Sequence, residues 1–183
     1  RLPLEGRRDE ALSGYDERIR RSIRRAKKDL LEARVGLDLE GISQLQEEAL
    51  ARDAAQGAYA LPAVRRYASV SPGCFTVMVS SGSDVLAGCL IAGTKRTAYY
   101  LLGGHRRRNG KGVHHGAGPL AIHTAITEAA RRGFETFDFE GSTIPPVEEF
   151  VRGFGGTLTP YYRAAKAWFP LECALKLRYR KYF

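Results

Sequence analysis

The sequence predicts an α+β fold in which a mixed, mostly antiparallel sheet is flanked by helices, and three observations carry that reading. Helical periodicity dominates residues 1–70, and three β-rich runs separated by short turns begin at Cys74. After a glycine-rich stretch the pattern alternates helix, strand, helix, strand to the end of the chain. A length of 183 residues suits one domain, with residues 1–70 forming N-terminal helices and residues 71–183 holding the sheet, the glycine loop and a central helix. No internal repeat or low-complexity linker divides it.

The elements follow in order. Ser13 and Asp16 resemble a capping box, after which Ile19, Ile23, Ala26 and Leu30 fall at helical spacing. Asp38 can cap a second helix whose apolar face is Leu39, Ile42, Leu45 and Ala49. Pro62 suits the first turn of a third that includes Val64 and Tyr67. Strands over 74–79, 85–91 and 97–102 have short connections between them, which predicts an antiparallel meander. Pro119 begins a helix that turns Leu120, Ile122, Ala125, Ile126 and Ala129 inward and stops at Gly133. A strand over 136–140, a short helix over 146–154 ended by Gly155 and Gly156, and a final strand over 158–166 complete the chain.

Charge is the compositional feature that asks for a partner. The net charge is +9, and it is unevenly placed. Residues 1–28 carry +5, residues 105–111 carry +4, residues 176–183 carry +4, and the remaining body is acidic at −4. Such patches attract nucleic acid, phosphorylated carriers or acidic membrane surfaces. No apolar run approaches the ~20 residues of a membrane span and no signal peptide opens the chain, so a cytoplasmic location is expected. Three unpatterned cysteines predict a reducing compartment rather than a disulfide framework. The chain begins at Arg1 without an initiator methionine, as part of a longer protein would.

Between the third strand and the central helix lie glycines at 103, 104, 110, 112, 116 and 118, together with Arg107-Arg108-Asn109-Gly110-Lys111-Gly112. A strand that feeds a glycine-rich loop opening a helix is a general way to hold phosphate, because backbone N–H groups turn toward the anion and the helix N-terminus carries about half a positive charge. The stretch is neither a Walker loop nor a dinucleotide fingerprint, since Gly-Lys-Ser/Thr is missing and the preceding strands read as antiparallel. A mobile basic surface loop is the competing reading.

That order of elements, with Arg-x-x-Gly-x-Gly between strand and helix, resembles the GNAT acyltransferase superfamily. The segments Phe137-Asp138-Phe139-Glu140-Gly141-Ser142, 146–156 and Pro160-Tyr161-Tyr162-Arg163 look like the C-terminal module of the FemAB-like branch, as do Tyr99 to Gly104 and Arg21 to Ala26. The resemblance implies a GNAT fold whose loop binds the pyrophosphate of an acyl carrier, and two strands that splay to admit the acyl group. It further implies acyl or aminoacyl transfer from acyl-CoA (acetyl-CoA) or aminoacyl-tRNA to an amine-bearing acceptor such as a peptide or cell-wall precursor. The sequence departs from the branch where Val151 stands in place of a common lysine, and in having room for one module and no helical arm.

On that resemblance Tyr100, Leu102, Gly103, Arg107, Gly110, Lys111, Gly112 and Gly118 are expected to hold the carrier. Acyl transfer to an amine needs a neutral nucleophile, stabilisation of an oxyanion and a proton for the leaving group. Glu140 is the candidate base or amine-orienting carboxylate, with a solvated strand-end acid as the alternative. Tyr162 could supply a proton, and Arg152 could hold an oxyanion, a phosphate or only a structural ion-pair partner. Asp138, Phe154 and Tyr161 are expected near the acceptor. Four histidines lack metal-ligand spacing, so no metal is expected, and Cys74 and Cys89 read as small buried hydrophobes. Arg20, Arg21, Arg24, Arg25 and Lys28 on the first helix form an anionic-partner surface suited to nucleic acid, tRNA included. The aromatic and basic tail suits an anionic membrane interface equally well. A GNAT-fold module that binds RNA or membrane without catalysis is the reading from another class.

Overall fold

The computed structural model describes residues 1–5, 12–53, 61–108, 111–140 and 145–160. Its centre is a six-stranded sheet in the order β1 (Leu2–Pro3), β8 (Thr136–Asp138), β5 (Thr97–His105), β4 (Asp84–Thr94), β3 (Phe75–Ser81) and β2 (Glu32–Gly36). All neighbours run antiparallel except β5 and β8, which are parallel. The meander β3–β4–β5 is the one that the three β-rich runs predict. Gly82 at φ +57° turns the chain between β3 and β4, a conformation that glycine adopts without a Cβ penalty.

Helices cover both faces of this sheet. On one face α1 (Glu17–Lys28) and α4 (Ala117–Arg131) close over Phe75, Val77, Val79, Ala87, Cys89, Ile91, Ala98 and Phe137. On the other, α2 (Leu39–Asp53) and α3 (Leu61–Val70) enclose Met78, Leu90, Ala92 and Leu102. Burial on both faces explains why β4 reads as a continuous apolar run from Leu86 to Ala92 rather than as an alternation.

The helices follow their sequence signals. Ile19, Ile23 and Ala26 form the buried stripe of α1, and Asp38 Oδ1 accepts the Gly41 N–H at 2.8 Å to cap α2. Leu120, Ile122, Ala125, Ile126 and Ala129 are all buried on α4, which ends before Gly133 at φ +86°. The helix predicted over 146–154 appears as α5 (Pro145–Arg152), closed by Gly155 at φ +77°.

Several boundaries differ. Leu30 is not part of the α1 stripe: the helix stops at Lys28 and Leu30, at φ +57°, is 82% exposed. Ser13 lies in a separate 3-10 turn, Leu12–Gly14, and Asp16 takes the N-cap position without a side-chain cap bond. β8 stops at Asp138 rather than at 140, because Glu140 adopts φ +58°. Residues 158–160 are not strand, and the rest of the predicted final strand lies outside the described residues. The edge strands β1 and β2 were not predicted.

Candidate active site

The parallel pair β5 and β8 is in register over only three residues, Thr97↔Thr136, Ala98↔Phe137 and Tyr99↔Asp138. β5 then runs on to His105 while β8 ends. The two strands therefore part at Tyr100. On its other side β5 pairs Tyr100 with Ile91 but Leu102 with Leu90, so Leu101 is an extra residue, a β-bulge. The bulge reverses the facing of the strand. Tyr100 packs on the α4 side, whereas Leu102 is buried in the α2-side core, which leaves only its backbone to face a ligand. Gly103 returns to the α4 side, where an added Cβ would collide with the Tyr100 hydroxyl.

Tyr100 is partly buried against the α4-side core. Burial, with a smaller contribution from Cys89, pushes the Tyr100 hydroxyl above the usual phenol range, and burial pushes the Cys89 thiol up to about 12. Cys89 Sγ donates to the Ala121 carbonyl at 3.8 Å, so this thiol is an inert packing group.

What the sequence presents as an open glycine loop is largely ordered backbone. The Arg106 N–H donates to the Leu86 carbonyl at 2.7 Å, and a small hairpin follows between β6 (Arg107–Arg108) and β7 (Lys111–Gly112). Gly110 lies outside the described residues, and the side chains of Arg107 and Lys111 are likewise not described. Beyond the hairpin, His114 ties the entrance of α4 to α1. Its Nδ1 accepts the Gly116 N–H at 3.0 Å, and its Nε2 lies 3.1 Å from Asp29 Oδ2. Accepting at Nδ1 places the neutral ring's proton on Nε2, so Nε2–H donates to Asp29. Asp29 also accepts from Arg25 Nε at 2.9 Å, and Arg25, then His114, hold its carboxyl below the usual range. Gly116 sits directly against α1: an added Cβ would strike the Ser22 carbonyl and lie 2.8 Å from the Ala26 Cβ. At Gly118, in the first turn of α4, a Cβ would meet nothing within 4 Å. In the first turn of α4 the Ala117 N–H donates to the His114 carbonyl at 3.2 Å, the Leu120 N–H donates to the Gly116 carbonyl at 2.9 Å and Pro119 has none, so Gly118 is the position where the backbone meets clear space.

The remaining candidates have the following partners. Asp138 Oδ2 accepts from Arg1 Nε at 2.7 Å, and its Oδ1 accepts the Glu140 N–H at 2.9 Å. Glu140 is exposed at the end of that turn. Arg152 is exposed, with Nε 3.6 Å from Glu148 Oε1. Phe154 is fully buried against Tyr15, Phe139 and Phe150, which makes it part of the core. Tyr161, Tyr162 and the basic tail lie outside the described residues. On α1, Arg20 and Arg24 share Glu17, Arg25 pairs with Asp29, and Arg21 and Lys28 are exposed. Among the described residues no group of three or more His, Cys, Asp and Glu could hold a metal, and no helix is long and apolar enough to cross a membrane. His123 is buried on α4, 3.4 Å from the Tyr15 hydroxyl. The Leu101 bulge, the close approach of Gly116 to α1 and the Asp29–His114 link were missed from sequence, since none carries a local signature.

A family model described as an acetyltransferase (GNAT) domain matches residues 15–150. The chain belongs to the GNAT acetyltransferase family. Members use acetyl-CoA and an amine-bearing acceptor. Among solved structures this GNAT domain is similar to FemX, with TM-score 0.69 and 14% identity, covering 84% of this chain and 57% of FemX. It is also similar to an aminoglycoside acetyltransferase from an uncultured soil metagenomic sample, solved with sisomicin (TM-score 0.53, 14% identity, 76% of this chain and 99% of that one). A predicted acetyltransferase from Clostridium acetobutylicum solved with acetyl-CoA gives TM-score 0.54 at 14% identity over 74% of this chain and 96% of that one. At these identities the likeness shows the fold. No curated protein sequence matches the chain.

Proposed function

We propose that this GNAT module transfers an acyl group from acyl-CoA to an amine by direct attack within a ternary complex. The observation that carries the reading is the parting of β5 and β8 at Tyr100. The entrance of α4 at Gly118, with Arg107 and Lys111 on the hairpin, holds the carrier's phosphates. Tyr100 and Gly103 line the α4 side of the acyl slot, and the backbone at the Leu101 bulge polarises the acyl carbonyl. Glu140, at the turn where β8 ends, orients the amine or accepts its proton, while Arg152 and Tyr162 are assigned to charge and proton management on the acceptor side.

One observation supports a second donor, aminoacyl-tRNA. α1 carries seven cations and one acid, and its apolar residues Ile19, Ile23 and Ala26 are spent in the core. Apart from Glu17 in its first turn, the charge on the outward face of α1 is cationic, which suits a hydrated polyanion better than insertion into a bilayer. Titration calorimetry with acetyl-CoA and with deacylated tRNA, each at two salt concentrations, ranks the carriers. Acetyl-CoA is expected to bind at both concentrations, and any tRNA binding is expected to weaken steeply with salt. Absence of heat with acetyl-CoA would remove the acyl-CoA reading, and retained acetyl-CoA binding without turnover on any amine would favour a non-catalytic module.

A further inference from the structure

Tyr100 is the first residue of β5 beyond its pairing with β8, and it lies one residue before the bulge. Its ring does not project away from the sheet. The hydroxyl lies over Gly103, three residues further along the same strand, so the phenol is laid back along β5 on the α4 side. Gly103 makes that posture possible, because any side chain there would occupy the place of the hydroxyl. The ring packs against the core beneath α4 yet Tyr100 stays partly exposed, where β8 has left the strand edge.

Resting on the acyl-CoA reading above, we propose that Tyr100 forms the floor of the acyl slot and restricts it to short acyl groups, acetyl foremost. On this proposal a chain longer than acetyl meets the ring where it packs against the core beneath α4. Because the interior is close-packed, each further methylene must displace the ring. Apolar pockets distinguish chain length by size in this way, at roughly tenfold or more per methylene where the fit is tight.

The test measures the affinities of acetyl-CoA, butanoyl-CoA and octanoyl-CoA, with free CoA as reference, for the wild type, Tyr100→Ala and Tyr100→Leu. The wild type is expected to bind acetyl-CoA at least about tenfold more tightly than octanoyl-CoA, and both variants to narrow or invert that ratio by about tenfold. Tyr100→Leu keeps an apolar side chain under α4, so it reports the same ratio should Tyr100→Ala fail to fold. Gly103→Ala supplies the opposite change: it forces the phenol toward the slot and is expected to weaken acetyl-CoA relative to CoA. Equal binding of acetyl- and octanoyl-CoA by the wild type, or a ratio unmoved in the folded Tyr100 variants, overturns the proposal. Wild type that binds neither CoA nor any acyl-CoA overturns the acyl-CoA reading itself, and the proposal falls with it.

Discussion

Gly116→Ala is expected to destabilise the fold by about 1–3 kcal/mol and to weaken acetyl-CoA binding in the same protein. The glycine is not there for its backbone freedom, since its φ of −92° is open to any residue. It is there for close approach. A methyl group would be driven into the Ser22 carbonyl and the Ala26 side chain, and the carbonyl is backbone that cannot rotate aside. Either α1 lifts from α4, which exposes Ile19, Ile23 and Ala26, or the entrance of α4 moves and the His114 bond to the Gly116 N–H is lost. Both outcomes disturb the helix end assigned to the carrier's phosphates. Urea unfolding and an acetyl-CoA titration on the same variant check this, and unchanged stability would mean that the two helices are not held in contact there.

Phe154→Ala is expected to cost about 3–5 kcal/mol, the range for deleting a buried aromatic side chain. Phe154 is fully buried, with ring centroids at 5.1 Å to Tyr15, 5.5 Å to Phe150 and 5.9 Å to Phe139. Those partners come from three separate segments: the approach to α1, α5 and the turn after β8. The neighbouring Gly153 carbonyl accepts the Asp16 N–H at 2.8 Å, which fastens the same junction through the backbone. The ring thus anchors the segment bearing Arg152 to the body of the domain. Denaturant unfolding of the variant measures the effect. A loss below about 1 kcal/mol would contradict the anchoring role and return Phe154 to the acceptor site expected from sequence.

Where the chain's local patterns are strong, the sequence reading and the structure agree. The apolar runs of β3 and β4 and the 3.6-residue periodicity of α1 and α4 need no tertiary information, because each buries its own pattern. β2 escaped because Glu32-Ala33-Arg34-Val35-Gly36 is an exposed edge strand with no apolar face to mark it, and β1 because two residues make no pattern. The site was legible as a region rather than as contacts. Tyr100 and Gly103 do lie together beside the slot, but period-two alternation places Leu102 on the same face as Tyr100. Only the bulge at Leu101, set by the register with β4, turns it to the other core. Asp138 ends β8, but Glu140, expected to end the same strand, lies two residues beyond it at φ +58°. The Asp29–His114 link spans 85 positions and cannot be read from either neighbourhood alone.

The central claim is that the entrance of α4 holds the phosphates of the acyl carrier, and titration of acetyl-CoA into Gly118→Asp tests it most directly. A Cβ at Gly118 meets nothing within 4 Å, replacing glycine in a helix is favourable, and a carboxylate in the first helical turn is stabilised by about 0.3–1 kcal/mol. Folding stability is therefore expected to hold or rise while the added negative charge repels the carrier. The account predicts acetyl-CoA affinity lower by about tenfold or more, equivalent to about 1.4 kcal/mol, in a protein at least as stable as the wild type. Undiminished acetyl-CoA binding by that stable variant would contradict it.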